Sequence, residues 1–359
     1  MTGTDAPHGL IDGHNDLPWA ARNLAAYSVE GLDDSTHPSR FQTDLPRMRE
    51  GGVLGQFWSV YAEDLSDVDA VQYTLEQIDC VYRLVQRYPD RLALARTAAD
   101  VVRAGREGRL GSLLGAEGGH SIAGSLATLR MFARLGVRYM TLTHNNNTPW
   151  ADSATDTPQH GGLSEFGEAV VREMNALGML VDLSHVAEST MHHALRITDS
   201  PVIFSHSSCR AVTDHPRNVP DAVLRELKGN GGVLMVSFVP PFVSQGYAAW
   251  WAAGREGAAP PVEIADVVRH FDHARDVAGI DHVGVGSDFD GFDDFPAGLD
   301  DVAGFARLRE ALQNDGWSDT DLDKVWSGNI LRVLRATDER FEGQARDERG
   351  ARGDGDPAS

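Results

Sequence analysis

Cysteine is nearly missing from this chain: Cys80 and Cys209 are the only two in 359 residues, and neither lies in a CxxC pair. A disulfide framework is thereby excluded, and both read as inert, partly buried thiols. Basic residues are few as well, 32 against 53 acids, which leaves a net charge of −21. Such a surface argues against nucleic acid and against an anionic membrane as partners. No apolar run approaches the roughly 20 residues of a membrane span. Met1 to His8 carry neither a basic nor an apolar region of the secretory kind, and the chain closes on polar Asp354 to Ser359 with no hydrophobic tail. The expected location is therefore cytoplasmic, with no membrane attachment.

What is present is ordinary globular material, 42% apolar and 24% charged, enough for one large core. Eight apolar runs read as strands: Leu10–Gly13, Leu54–Tyr61, Leu110–Ala116, Tyr139–Thr143, Leu180–Leu183, Val202–Ser205, Gly232–Phe238 and His282–Ser287. Helical spacing lies between most of them, over Val71–Tyr88, Leu126–Leu135, Gly167–Leu177, Met191–Ile197, Asp221–Leu227 and Val262–Ala278, and Thr320–Leu334 closes the series. Alternation of this kind predicts crossover connections and a parallel sheet. Eight strands allow it to close, so the expected fold is an α/β, (β/α)8 barrel over residues 1–337, a single domain with loop insertions. Asn23–Met48 and Pro240–Pro261 stand outside the alternation, the first as a polar irregular insertion, the second as either a packed surface helix or a lid. Residues 338–359 read as a disordered polar tail.

Polar groups gather just past these runs. His14 and Asp16 follow the first, Glu117 the third, His144 the fourth, His185 the fifth, His206 the sixth and Asp288 the eighth. Functional groups of a (β/α)8 barrel collect where its strands end. His14 and Asp16, two apart in extended chain, share a face and suit one metal ion. His185 and His206 close neighbouring strands and suit a second, with Glu117 between the two groups. Two metals about 3.5–4 Å apart clamp a water and polarise the attacked oxygen. A single histidine at a strand end is more often structural than a ligand; the argument rests on the coincidence of several.

The segment Asp12-Gly13-His14-Asn15-Asp16-Leu17-Pro18-Trp19 resembles the opening motif of the renal (membrane) dipeptidase family in the amidohydrolase superfamily. The likeness continues through Gln56–Tyr61, Gly115–Gly118, Leu142–Asp152, Val181–His185, Phe204–Ser207, Arg217–Asp221 and Gly286–Gly291, in order along the chain. The resemblance implies two Zn2+ per chain, one held by His14, Asp16 and Glu117, the other by Glu117, His185 and His206, bridged by Glu117 and a hydroxide. It implies a glutamate bridge in place of a carbamylated lysine, and the only lysines, Lys228 and Lys324, lie in helical segments. It also implies that His144 faces the substrate and the developing oxyanion, that Arg217 grips the substrate carboxylate, and that Asp288 shuttles the proton. Tyr61 and Asn218 join them as substrate contacts.

The expected activity is that of a zinc metalloprotease hydrolysing dipeptides, L-Xaa-L-Xaa and, from the resemblance, L-Xaa-D-Xaa. The partner is then a small dipeptide, and a homodimer fits the assemblies often found among relatives. The alternative reading is an amidohydrolase acting on a lactone or cyclic amide with the same binuclear site.

Overall fold

The computed structural model describes residues 8–36, 39–63 and 69–350. Nine strands form one parallel sheet: β1 (Leu10–Asn15), β2 (Val53–Tyr61), β3 (Leu92–Leu94), β4 (Leu110–Glu117), β5 (Val137–Thr141), β6 (Leu180–Asp182), β7 (Ile203–Ser207), β8 (Val233–Val236) and β9 (Val283–Val285). β1 pairs with both β2 and β9, and β2 pairs with β4 along seven residue pairs, so eight strands close on themselves as a barrel. β3 is added outside the ring, against the start of β4. At three residues it is too short to show a strand period.

The strands are apolar on both faces because both faces are covered. Adjacent residues enter different packed clusters: Ile11, Phe57, Leu113, Leu180, Ile203 and Val233 share one, while their neighbours Leu10, Trp58, Leu114, Val181, Phe204 and Leu234 share the other. A period of two with no polar face is what a barrel strand requires. Helices return the chain between strands. The helix Glu165–Leu177 shows the local logic: Ser164 caps it by accepting from the Gly167 N–H, and Gly178 ends it at φ 66°.

Two expectations change. The insertion after β1 is not irregular throughout, since helices Leu17–Ala25 and Leu45–Glu50 occupy its two ends. The expected boundary at 337/338 falls inside the final helix, Asn329–Gly350. Charge pattern alone hid the reason, which is tertiary. Asp338 accepts from the Ala98 N–H at 2.9 Å and from buried Arg138 at 3.1 Å, and Arg340 binds Asp199 at 2.6 Å. Residues 351–359 of the expected tail lie outside the described residues. The Pro240–Pro261 segment carries two short helices, Pro240–Val243 and Gln245–Ala252. No helix among the described residues is long and apolar enough to cross a membrane.

Candidate metal centre and substrate cleft

The C-terminal ends of the strands bring the expected ligands to one point. Glu117, the last residue of β4, lies between two groups and faces each with a different oxygen. Its Oε2 is 3.3 Å from His14 Nε2; its Oε1 is 3.1 Å from His185 Nε2 and 3.4 Å from His206 Nε2. Asp16 Oδ2 stands 3.3 Å from the same His14 nitrogen. His14, Asp16, Glu117, His185 and His206 are all buried. Three clusters among the described residues could hold an ion: His14, Glu117 and His206; Glu117, His144 and His185; and His14, Asp16 and Asp288. His144 also approaches, its Nε2 4.0 Å from Glu117 Oε1, farther than His185 or His206.

Hydrogen bonds behind the ligands set their tautomers. The Tyr139 hydroxyl donates its one proton to the Gly13 carbonyl at 3.2 Å, so its 2.8 Å contact with His14 Nδ1 has the imidazole as donor. Likewise Ser205 Oγ donates to Asp182 Oδ2 at 2.6 Å and receives the Nδ1 proton of His206 at 2.8 Å. In both neutral rings Nε2 is then a bare lone pair. His14 Nε2 has no hydrogen-bond partner and looks onto two carboxylates, and His206 Nε2 is 2.9 Å from His185 Nε2. Lone pairs and carboxylate oxygens crowded in this way repel one another unless cations lie among them, so the residues present fit metal ions. No Lys or Arg forms an ion pair with Asp16, Glu117 or Asp288 among the described residues.

The protonation tendencies of His185 and His206 agree with this, while that of His14 runs the other way. Burial, with neighbouring cationic groups, holds His185 and His206 well below the usual histidine range, in the neutral form that ligates. Burial opposes charge on His14 too, but Tyr139, Glu117 and Asp16 outweigh it and hold that ring well above its usual value, as expected of a site that attracts positive charge. Asp288 is pushed well above the usual carboxylate range by burial and by Asp16 and Glu117, against His14. Both His185 (φ 68°) and Asp288 (φ 70°) sit in the left-handed region that non-glycine residues avoid. Strained backbone of this kind concentrates at functional sites. Removing the support behind one ligand should be felt at the metal: Ser205→Ala is expected to weaken metal retention about 10- to 100-fold, read by competition with a chromogenic chelator.

A cleft of about 590 Å³ opens over this centre. Asp16, Glu117, His185 and Asp288 reach its floor, while His14 and His206 lie beneath. Tyr61 and His144 face each other on one wall, with Tyr61 Oη 3.4 Å from His144 Nδ1. Burial, helped by His120 and Arg217, holds His144 well below its usual pKa. Arg217 lines the cleft, nearly fully buried and without a carboxylate partner among the described residues. Its contacts are long, 3.5 Å to Ser207 Oγ and 3.4 Å to the His206 carbonyl, and its Nε is unpartnered. Burial lowers its pKa to about 10. A buried, underused guanidinium suits an incoming anion.

Asn218, expected at the substrate, stands elsewhere. It is fully enclosed, donates to the Thr213 and Phe242 carbonyls at 2.9 and 2.8 Å, and accepts from the Ser208 N–H at 3.2 Å. Its amide is spent on shaping the loop that carries Arg217. Conversely, Trp19, His215, Phe242, Trp251 and Phe292 line the cleft without having been singled out. Trp19 lies within the motif after β1, and His215 stands two residues before Arg217.

Comparison with known proteins gives a consistent result. The sequence matches the model of the membrane dipeptidase family, peptidase family M19, over residues 6–347. It is 44% identical over 343 residues to dipeptidase verJ of Clonostachys rogersoniana, covering 92% of this chain and 84% of that protein. It is 42% identical over 336 residues to dipeptidase 3 of Mus musculus, covering 92% of this chain but 64% of the mouse protein. Its fold is similar to a metallopeptidase from Rhodobacter sphaeroides solved with a phosphinate mimic of the dipeptide L-Ala-D-Ala. That match has a TM-score of 0.80 and 27% identity, and covers 92% of this chain and 99% of the other.

Proposed function

The chain belongs to the membrane dipeptidase family of metallopeptidases (peptidase family M19), and from that premise we propose that it is a binuclear zinc dipeptidase. The observation that carries this reading is the position of Glu117, with one oxygen toward His14 and the other toward His185 and His206. His14, Asp16 and Glu117 would hold one zinc ion, and Glu117, His185 and His206 the other. Bound there, two zinc ions would lower the pKa of an attacking water and polarise the scissile carbonyl.

The protein's own groups do the rest. Arg217 takes the substrate's free carboxylate and so fixes how deep the chain enters; a longer peptide would put its carboxylate out of reach. Neutral His144, its Nδ1 accepting from Tyr61, keeps a proton on Nε2 and directs it at the oxyanion that develops on the carbonyl. Asp288 takes the proton of the attacking water and passes it to the departing amine. Recognition of a carboxylate by one arginine places little demand on the configuration of the residue bearing it, which supports acceptance of L-Xaa-D-Xaa as well as L-Xaa-L-Xaa. The similarity to a protein crystallised with an L-Ala-D-Ala mimic supports the same substrate class.

The test is hydrolysis of a panel of L,L- and L,D-dipeptides beside their C-terminal amides and a set of neutral lactones, with the zinc-loaded protein. Cleavage of the free dipeptides, with the amides poor and the lactones inert, is the expected result. Lactone hydrolysis without dipeptide cleavage would replace this reading by the other amidohydrolase reaction.

A further inference from the structure

We infer that Gln42, on the insertion after β1, is a positioning residue that holds Asp288 in its working conformation; the inference rests on the dipeptidase reading above. The segment Asp288–Phe292 turns sharply over the cleft floor. Asp288 and Asp290 both have positive φ, 70° and 65°, a conformation neither prefers. Something must hold it. Gln42 does so with both ends of its side-chain amide and with its own N–H. Its side-chain oxygen accepts from the Asp290 N–H at 2.6 Å, and its own N–H donates to Asp290 Oδ1 at 2.8 Å. Its side-chain amide donates to the Phe292 carbonyl at 2.9 Å, and its carbonyl accepts from the Val302 N–H at 3.2 Å.

The next residue ties in the neighbouring strand. Buried Thr43 accepts from Asn15 Nδ2 at 2.8 Å, and Asn15 lies between the ligands His14 and Asp16. The ends of β1 and β9 are themselves joined, Asp288 N–H to the His14 carbonyl at 3.2 Å and Asp16 N–H to the Phe289 carbonyl at 2.8 Å. Gln42 and Thr43 thus clip together the two strand ends that present His14, Asp16 and Asp288. The turn has no slack to absorb the loss of a clip. A Cβ placed on Gly291 would press directly on the carboxyl oxygens of Asp16 and Asp288. A shift of the Asp290 backbone is passed along this tight turn toward Asp288, two residues away. Proton transfer needs that carboxyl within hydrogen-bond reach of its partners, and a misplacement near 1 Å costs on the order of a hundredfold.

Gln42 contacts no ligand and lines no part of the cleft, so the effect should fall on turnover. In the zinc-loaded protein, Gln42→Met, which keeps the length and loses the side-chain bonds, is expected to lower kcat for a dipeptide at least about tenfold, with KM unchanged. Zinc content and the thermal unfolding midpoint are measured on the same sample. Gln42→Asn, which keeps the amide but not its reach, should behave alike and serves if the methionine variant folds poorly. A fall in kcat with KM and zinc intact supports the inference. Unchanged kcat, or a loss that merely tracks missing zinc or a smaller folded fraction, overturns it. Absence of dipeptide cleavage by the wild-type protein would instead sink the dipeptidase reading, and the inference with it.

Discussion

Asp288→Asn is expected to lower kcat for dipeptide hydrolysis by about 10²–10⁴-fold, the range over which a positioned general acid–base contributes. The amide has the shape of the carboxyl and keeps the Asp288 backbone bond to the His14 carbonyl, so zinc content should not change. What disappears is the group that accepts a proton. The pH profile supplies an independent check. Burial and the carboxylates of Asp16 and Glu117 raise the Asp288 pKa, so the proton-accepting form exists only above that raised value. Wild-type turnover should therefore fall as pH drops through the Asp288 pKa. Cations at the neighbouring ligands draw the value back down from that of the metal-free site, so the acid limb of the zinc-loaded protein lies below it. The residual activity of Asp288→Asn should lack that limb. An unchanged kcat would assign proton transfer to another group.

Arg217→Ala is expected to lower kcat/KM for dipeptides by about 10²–10³-fold, the effect of truncating one partner of a buried, hydrogen-bonded charge pair. Hydrolysis of a neutral substrate without a carboxylate should barely change, so the ratio of the two activities is the informative quantity. Arg217 is buried without a carboxylate partner among the described residues. The other buried arginine among them is engaged through its terminal nitrogens: Arg138 reaches Asp338, Thr337 and the Gly178 carbonyl at 3.1, 3.1 and 3.2 Å. Among the described residues the Arg217 guanidinium has only contacts of 3.4–3.5 Å and a ring, that of Phe242, 5.1 Å from its guanidinium carbon. Little native structure depends on it, so the variant should fold and bind zinc. Equal losses on charged and neutral substrates would show a general disturbance of the cleft.

The sequence made the barrel legible because its strands are buried on both faces and so read as continuous apolar runs. All eight barrel strands lie where those runs are, within a few residues. β3 was not legible, since Leu92–Leu94 is too short for a period and pairs only at the rim. The proposed metal ligands were legible for a related reason: each lies within three residues of the end of its run, and a closed parallel barrel brings all strand ends to one side. Asn218 shows the limit of that reasoning. Its neighbour Arg217 faces the cleft, but adjacent residues of a loop point different ways, and Asn218 turns inward to bind backbone. Trp251, Phe242 and Phe292 come from segments with no period tied to the sheet. Gln42 is the clearest case. Its partners Asp290 and Phe292 are 248 and 250 residues away, and one glutamine in a polar insertion carries no local mark of them.

The central claim is that Glu117 bridges two metal ions on the floor of the cleft. Elemental analysis of the purified chain, reconstituted with zinc and freed of excess, tests it most directly, with Glu117→Gln measured beside it. The account predicts about two zinc ions per wild-type chain, the number a bridged binuclear site holds. The variant, deprived of the charge shared by both positions, should lose most of that zinc and with it dipeptide cleavage. A wild-type chain that retains no stoichiometric metal, or a Glu117→Gln chain that keeps both ions, would contradict it.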